Sequence, residues 1–349
     1  MDKVKGFKQR YIMRRWNRIL DFFVLAGSLN FHKLINLFKV GLSYFSFILF
    51  RTVKHNGLPV AASIEPTTSC NLRCPECPTG KGTLLRAKGN MDVQFFQSIT
   101  DQISSHILYL TLYFQGEPFL NPGIFEMITY ARSRKIYVAT STNGHYLDKT
   151  AEATVRSGLN RLIVSLDGID QEAYSSYRKG GDFNKVTDGV RQVVKWKKKL
   201  HVRHPYLVIQ FLVLSSNEHQ KEAIMKYGYE LGADEVQLKK AQFSNYKSGN
   251  ALMPSDKKYS RYRNNTAGGF ISSFKVANRC FRMWSSTVIT WDGIVAPCCF
   301  DKNADHRMGN LAEEDFNSIW ESSRFKSFSS SIRHYRSSFE MCCNCTQRW

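Results

Sequence analysis

The segment Ser69-Cys70-Asn71-Leu72-Arg73-Cys74-Pro75-Glu76-Cys77-Pro78 places three cysteines within one short loop. It closely follows the apolar run 60–65, which predicts a β-strand. The spacing lets the three thiols converge on one face of a cluster, and the sequence offers no fourth cysteine nearby. Three thiolates would leave one iron of a 4Fe–4S cluster open, whereas a structural zinc site would need a fourth ligand. The segment therefore predicts an open iron–sulfur site after the first strand.

Short apolar runs and amphipathic segments alternate from residue 60 to about residue 240, which is typical of parallel β/α units. The apolar runs predict six strands, at residues 60–65, 107–113, 136–141, 162–166, 207–214 and 235–239. The segments between them have helical periodicity, at residues 92–103, 124–133, 149–157, 183–199 and 218–231. We therefore predict an α/β fold with a partial six-stranded β/α barrel. In such folds the chemistry lies at the carboxyl ends of the strands.

Polar motifs follow three of these predicted strands in order. They are Gln115-Gly116-Glu117-Pro118, Ser141-Thr142-Asn143-Gly144 and Ser165-Leu166-Asp167-Gly168. Each motif alone is most often an ordinary turn. Together with the cysteine loop, however, they resemble the radical S-adenosylmethionine (SAM) superfamily. The resemblance implies that Cys70, Cys74 and Cys77 ligate a catalytic 4Fe–4S cluster whose open iron binds the methionine part of S-adenosyl-L-methionine.

The resemblance also implies the reaction and further cofactor contacts. Reductive cleavage of the cofactor would give methionine and a 5'-deoxyadenosyl radical that abstracts hydrogen from a substrate. The implied cofactor contacts are Gly116, Glu117, Pro118, Ser141, Asn143, Ser165, Asp167 and Arg178. Glu117 suits the methionine amino group, because that nitrogen needs acceptors, and Arg178 suits the carboxylate, because its guanidinium is a planar bidentate donor. Glu76 departs from the family, which usually has an aromatic residue before the third cysteine.

A second group of cysteines lies after residues 244–279, a stretch rich in Ser, Asn, Gly and Lys that predicts a linker or a loop over the barrel mouth. Gly293 fits the turn of a hairpin. The spacing of the cysteines resembles the Twitch domain, a shortened SPASM domain that binds one auxiliary 4Fe–4S cluster. The ligands that this resemblance implies are Cys280, Cys298, Cys342 and Cys345.

Two cysteines of the second group, Cys299 and Cys343, are left over and stay open as replacements for their neighbours. A zinc site made from four thiols at the same spacing is the alternative to the auxiliary cluster. If four cysteines ligate a cluster, it has no open iron and serves as an electron carrier.

Residues 1–58 differ from the rest of the chain, with eleven Lys and Arg against two Asp and many aromatic residues between them. Residues 11–26 predict an amphipathic helix of the interfacial type, and residues 31–50 predict a second helix. The apolar tail 40–50 is short, and Lys39 interrupts any extension, so we expect this segment to lie on a membrane rather than to cross it. The alternative is that both helices cover apolar surface of the catalytic domain.

The whole chain of 349 residues carries a formal net charge of +20, which indicates an anionic partner such as phosphate, nucleic acid or lipid. The N-terminus lacks the apolar stretch and cleavage site of an export signal. We therefore expect the nine cysteines to stay reduced in the cytoplasm. The basic N-terminal segment adds the expectation of a peripheral position on the inner face of the membrane.

These patterns predict four parts: a basic helical segment (1–58), a radical SAM partial barrel (59–243), a linker (244–279) and a small α+β Twitch-like iron–sulfur domain (280–349). The predicted function is a two-electron oxidation of a non-peptide substrate, either a small molecule or a membrane- or lipid-linked compound, with flavodoxin or ferredoxin as reductant. A peptide- or protein-modifying maturase is the first alternative. An iron–sulfur sensor that binds nucleic acid is another, but it would not need the strand-end motifs, so we do not expect nucleic acid as a partner.

Overall fold

The computed structural model describes residues 16–266, 268–274 and 276–345. In this part of the chain the strands are β1 (Ala61–Ile64), β2 (Tyr109–Thr111), β3 (Tyr137–Thr142), β4 (Arg161–Ser165), β5 (Tyr206–Val213), β6 (Glu235–Lys240), β7 (Tyr262–Asn264), β8 (Phe270–Ser272), β9 (Ser286–Ile289), β10 (Ile294–Ala296) and β11 (Gly309–Asn310). Within the described residues, nine of these strands form one sheet in the order β11-β10-β9-β1-β2-β3-β4-β5-β6, and β7 pairs with β8 in a separate ribbon.

The helices surround this sheet. They are α1 (16–26), α2 (Phe31–Phe50), α3 (Pro78–Lys81), α4 (Val93–Ile103), α5 (Ile124–Ser133), α6 (Leu147–Arg156), α7 (Gln171–Tyr177), α8 (Phe183–Lys199), α9 (Lys221–Glu230), α10 (Arg282–Ser285), α11 (Phe316–Glu321), α12 (Ser323–Tyr335) and α13 (Glu340–Cys343). Asp92, Asp170 and Asp182 cap α4, α7 and α8 by accepting hydrogen bonds from the first turn of each helix.

Strands β1 to β6 are parallel, and each crossover contains one or two helices. Ala62, Leu110 and Val138 are in register across the first three strands and are buried against the helices. Ala61 and Ser63, the neighbours of Ala62 in β1, point to the opposite face of the sheet, which is the inside of the barrel. The predicted α/β fold with a partial six-stranded barrel is confirmed, and every predicted strand overlaps an observed one.

The C-terminal part extends the barrel sheet from its first strand. Strand β9 pairs in parallel with β1, and β10 returns antiparallel to β9. The turn between them ends at Gly293, whose φ of 87° lies in the left-handed region that favours glycine. An added Cβ there would lie 2.6 Å from Oδ1 of Asn310. The hairpin turn expected at Gly293 is therefore present.

Two parts of the sequence-based description need correction. The segment 244–279 has no clear period in its sequence, yet it contains the β7–β8 ribbon. Each strand of this ribbon has only three paired residues, from Tyr262 opposite Ser272 to Asn264 opposite Phe270, which is too short to show a period. The second concerns α2, a single helix of 20 residues that is long and apolar enough to cross a bilayer. The expectation that Lys39 leaves too short an apolar run is therefore wrong. Residues 11–15 of the first predicted helix lie outside the described residues.

Helices α1 and α2 lie at the amino ends of the barrel strands. On α1, Asp21 accepts hydrogen bonds from Tyr137 and Arg161, the first residues of β3 and β4. On α2, Lys33 donates from Nζ to the carbonyl of Lys135, two residues before β3, at 2.7 Å. Both helices are therefore at the opposite end of the barrel from the cysteine loop, which follows β1.

Candidate functional site

The first cysteine loop contacts the Gln115–Pro118 motif through backbone atoms. Gly116 has φ 76°, and a Cβ there would lie 2.8 Å from the carbonyl oxygen of Ser69. The amide of Glu117 donates to that same carbonyl at 2.7 Å. Glycine is thus required at 116 because the turn lies directly against the residue before Cys70.

The three thiols of this loop lie together. Burial raises the pKa of Cys70 to about 11, and the nearby Glu117, Cys74 and Cys77 raise it further, while a hydrogen bond from Leu72 opposes them. Burial also raises the pKa of Cys74, and the Arg178 guanidinium opposes this. Nη1 of Arg178 is 3.9 Å from Sγ of Cys74. Buried thiols beside a guanidinium suit an anionic metal cluster, because metal binding deprotonates the thiols and the cation stabilises their charge.

Glu117 is fixed at the centre of the site. Its Oε1 accepts hydrogen bonds from Oγ1 of Thr142 at 2.6 Å and from the Phe119 amide at 3.2 Å, and its Oε2 accepts from the Asn143 amide at 2.7 Å. Asn143 in turn donates from Nδ2 to Oδ1 of Asn71, between the first two cysteines. The ends of β2 and β3 are thereby connected to the cysteine loop.

Asp167 and Arg178 form a second buried pair at this end of the barrel. Asp167 is fully buried and accepts from Nε of Arg178 and from the Leu212 amide, each at 2.6 Å. Both carboxylate oxygens thus have partners within the protein, so Asp167 positions Arg178. Nη1 of the same guanidinium reaches Cys74.

The other sequence-predicted cofactor residues lie on the same edge. Pro118 is buried and starts a short 3-10 turn, Ser141 is half-buried near the end of β3, and Ser165 is buried at the end of β4. The structure therefore brings the predicted residues to the carboxyl ends of the first four strands, around the first three cysteines.

Glu76, the residue before the third cysteine of the loop, faces the segment 244–250. Its Oε1 accepts from Nδ2 of Asn250 at 3.0 Å, and its Oε2 accepts from the Ser244 amide at 3.3 Å. The same segment contacts the C-terminal cysteines, because Asn344 donates from Nδ2 to the Phe243 carbonyl at 2.8 Å. The segment 243–250 therefore connects the two cysteine loops, which the sequence pattern did not reveal.

The C-terminal cysteines converge on Arg336. This arginine is 1% exposed, and its Nη2 is 3.5 Å from Sγ of Cys345. Burial raises the pKa of Cys342 to about 11, Arg336 lowers it, and Cys280 and Cys345 raise it further. Cys280, Cys342 and Cys345 thus surround one buried guanidinium.

Three cysteines of the second group remain: Cys298, which the sequence predicts as a ligand, and Cys299 and Cys343, which it leaves open. Cys298 and Cys299 share a hydrogen bond, and Cys298 also interacts with Cys280. Sγ of Cys299 accepts instead from Nη1 of Arg282 at 3.3 Å. Cys343 donates to the Ser337 carbonyl at 3.0 Å. The structure therefore places Cys298 beside the group around Arg336, with Cys299 next to it, and directs Cys343 elsewhere.

A cavity of about 190 Å³ lies against the inner face of β1, β2 and β9. Its polar lining includes Ser63, Thr111, Arg282, Ser286 and Cys299. Ala61 and Ser63 of β1, which contribute to it, belong to the barrel interior.

Lys302 lies between the two cysteine groups. Burial lowers its pKa, and interactions with Cys77 of the first group and Cys299 beside the second oppose this change. This buried lysine is therefore a common neighbour of Cys77 and Cys299.

The donor chemistry fits clusters better than single metal ions. Among the described residues no three His, Cys, Asp or Glu side chains are close enough to hold one metal ion. The guanidinium beside each group favours an anionic cluster at both.

Two family models match the chain. One, described as the radical SAM superfamily, matches residues 64–209, and the other, described as the SPASM iron–sulfur cluster-binding domain, matches residues 280–346. GTP 3',8-cyclase of Alkaliphilus oremlandii is 30% identical over 137 residues, which are 38% of this chain and 42% of that protein. The chain thus spans about two fifths of that relative's length.

Other similarities cover more of the chain. A Pyrococcus furiosus protein, the tungsten-containing aldehyde ferredoxin oxidoreductase cofactor-modifying protein, is 24% identical over 82% of this chain and 86% of its own length. The crystal structure of BtrN with AdoMet and 2-DOIA has a TM-score of 0.51 at 19% identity, covering 83% of this chain and 94% of that one. Streptococcus suis SuiB bound to precursor peptide SuiA has a TM-score of 0.58 at 14% identity, covering 82% and 70%.

Proposed function

This chain is a radical SAM protein with a C-terminal SPASM domain, and we propose that it oxidises a small non-peptide substrate by two electrons. A substrate C–H bond would lose its hydrogen atom to the cofactor-derived radical. A cluster held by Cys280, Cys298, Cys342 and Cys345 would accept the second electron, and the proton would go to solvent. An alcohol carbon would become a carbonyl in this way.

The two domains imply 4Fe–4S clusters and S-adenosyl-L-methionine as cofactors. When bound, they supply a 5'-deoxyadenosyl radical by one-electron cleavage of S-adenosyl-L-methionine. Cys70, Cys74 and Cys77 would hold the first cluster. Glu117 already accepts three hydrogen bonds, and a carboxylate has about four acceptor sites, so one remains for the methionine amino group. Arg178, fixed by its hydrogen bond to Asp167, would pair with the methionine carboxylate.

The observation that carries the oxidation is the buried Arg336 among Cys280, Cys342 and Cys345. A cluster held by Cys280, Cys298, Cys342 and Cys345 would have no open iron for substrate. Hydrogen bonds to its sulfurs and nearby positive charge favour its reduced form, because reduction makes the cluster more negative. These features support an electron acceptor, with flavodoxin or ferredoxin as the expected external reductant of the first cluster.

The cavity supports a small substrate. It lies against the inner face of β1, β2 and β9, holds about 190 Å³ and offers the Ser63 and Thr111 hydroxyls together with Arg282. Hydroxyls and a guanidinium suit a hydroxylated or anionic small molecule. Two of the similar proteins also have names or titles that point to small molecules, a GTP cyclase and BtrN with 2-DOIA.

Peptide modification is the second candidate, because the similar SuiB structure contains a precursor peptide. Within residues 16–58 the structure has two helices and no strand, so it offers no sheet edge there for a peptide to extend. The experiment below distinguishes the two candidates by the size of the compound that changes.

The oxidation is tested by Cys345→Ser. We expect this variant to form 5'-deoxyadenosine with dithionite yet to yield no oxidised product, because the substrate radical has lost its electron acceptor. A deletion strain is complemented with wild type or variant, and its metabolites and peptides are compared by mass spectrometry. Cys343→Ser is the matched control and should restore the product, because the Cys343 thiol donates a hydrogen bond to the Ser337 carbonyl and is not expected to ligate the cluster. Product formation by Cys345→Ser would contradict the electron-acceptor role, and an altered peptide would favour the second candidate.

The positioning of Arg178 is tested by Asp167→Asn. A hydrogen bond to a charged group is worth about 1.5–3 kcal/mol, so we expect affinity for S-adenosyl-L-methionine to fall roughly 10- to 100-fold. Equilibrium binding is measured on the anaerobic protein, together with iron content, which should not change. Asp170→Asn is the control, because it makes the same chemical change at the exposed cap of α7. Loss of iron in Asp167→Asn at unchanged affinity would show a purely structural role.

A further inference from the structure

The exposed apolar side chains of this protein are concentrated on α1 and α2. Of the most exposed large apolar residues in the described chain, all but Leu85, Tyr113 and Tyr335 lie in residues 16–50. Phe22, Phe23, Phe31, Phe38, Phe45 and Phe50 are each between 60% and 73% exposed. A contiguous apolar surface of this kind marks an interaction site rather than ordinary exposure.

Both helices turn polar side chains toward the barrel. On α1, Asn17 donates to Asp234 at 2.9 Å, and the buried Asp21 binds Tyr137 and Arg161. On α2, Lys33 is 1% exposed because its side chain reaches a barrel carbonyl. Each helix thus buries several polar groups and exposes many of its aromatic ones, whereas a surface helix of a globular protein usually exposes its polar groups.

We propose that α1 and α2 form a docking surface for an anionic lipid membrane. Lys39, Arg51 and Lys54 are exposed beside the apolar residues, and the single carboxylate of residues 16–58 is the buried Asp21. Aromatic residues flanked by exposed cations suit the interface of an anionic bilayer. A symmetric contact between two copies of this chain would instead place these cations against each other, which is unfavourable.

Helix α2 docks on the membrane without crossing it. One strip of the helix is buried in the protein, where Phe47 packs on Trp284 with ring centroids 4.6 Å apart and Tyr44 packs on Phe281 at 4.9 Å. Crossing the bilayer would break these contacts and expose Trp284. The helix therefore lies in the plane of the interface, with its outer face among the lipid headgroups and upper acyl chains.

The docking surface fixes the orientation of the enzyme. It lies at the amino ends of the strands, whereas the first cysteine loop lies at the carboxyl end of β1, and a strand of six residues such as β3 spans roughly 20 Å. The barrel mouth thus faces away from the membrane. This orientation favours a water-soluble substrate over a lipid-linked one, and it leaves the first cluster accessible to a cytoplasmic reductant.

The experiment uses the full-length protein with its clusters and vesicles of phosphatidylglycerol and phosphatidylcholine. The wild type is expected to float with the mixed vesicles, and to bind less at high salt or to pure phosphatidylcholine. Phe38→Ser/Phe45→Ser should lower the partition coefficient at least about tenfold, because both side chains would enter the interface. Leu85→Ser/Tyr335→Ser is the control, since it removes two equally exposed apolar side chains elsewhere and should bind like the wild type.

Two further measurements separate the outcomes. Equal flotation of Phe38→Ser/Phe45→Ser and wild type, or no flotation of the wild type, would overturn the proposal. The proposal would also be overturned if the wild type had the solution mass of a dimer and Phe38→Ser/Phe45→Ser that of a monomer, because the surface would then be a dimer interface. Formation of 5'-deoxyadenosine in solution should be unchanged in all these variants. The membrane proposal and the proposed function can therefore be refuted independently of each other.

Discussion

Replacing Cys74 by Ala is expected to abolish cleavage of S-adenosyl-L-methionine. Cys74 is buried, lies with Cys70 and Cys77, and has the Arg178 guanidinium within 3.9 Å of its sulfur. A cluster with two remaining protein ligands would not keep its open iron beside Glu117. The 5'-deoxyadenosine formed with dithionite is measured by chromatography, and we expect none above background. Iron content should fall by about half, since the auxiliary cluster keeps its own ligands.

Cys343→Ala provides the matched comparison for this result. Cys343 is half-buried, as are Cys70, Cys77 and Cys298, but its thiol donates to the Ser337 carbonyl. It should keep full iron content and full cleavage. If Cys343→Ala instead lost iron to the same extent as Cys345→Ala, the ligand set of the auxiliary cluster would include residue 343. Cleavage by Cys74→Ala would refute the assignment of the first cluster.

The barrel could be predicted because its signal is local. The predicted helices 124–133 and 183–199 match α5 and α8, and the predicted strand 235–239 differs from β6 by one residue. In each case the apolar residues repeat at the period of the element, since one face is buried against the sheet or the helices. Parallel strands also bring their carboxyl ends to one edge. The order of the motifs therefore predicted that Glu117 and Asn143 would meet at the cysteine loop.

Other features depend on contacts between distant residues, which no local pattern records. Asp21 reaches Tyr137 and Arg161 across more than a hundred residues. The amphipathic pattern of the first helix alone therefore does not predict which of its faces packs against the barrel. Likewise, Glu76 was visible only as a departure from the family, and its bonds to Ser244 and Asn250 depend on how the linker crosses the barrel mouth.

The buried pair of Glu65 and Arg86 is the largest of these omissions. Glu65 is fully buried at the end of β1 and binds both terminal nitrogens of Arg86. It also accepts from the amide of Gln115 at 3.2 Å, next to Gly116, and from the amide of Trp291 at 3.3 Å, in the turn of the C-terminal hairpin. One carboxylate therefore connects the cysteine-bearing loop, the end of β2 and the C-terminal domain.

Glu65→Gln is therefore expected to destabilise the protein strongly. The substitution leaves the guanidinium of Arg86, 3% exposed, without a compensating charge, and breaking a buried pair in this way costs about 3–5 kcal/mol. The thermal midpoint of the anaerobic protein should fall by roughly 5–10 °C. Glu152→Gln is the matched control: it breaks an exposed ion pair with Arg156, worth under about 1 kcal/mol, and should scarcely change the midpoint.

A double-mutant cycle shows whether the pair acts as a unit. Arg86→Met alone should also destabilise the protein, because it leaves Glu65 buried and uncompensated and removes the Arg86 bond to the Lys302 carbonyl. The double variant Glu65→Gln/Arg86→Met should then lose clearly less stability than the two single losses together, because no buried charge is left unpaired. If the two losses simply add, the pair is not coupled, and the connection between the two domains must rest on the backbone contacts of Gln115 and Trp291 and not on this charge pair.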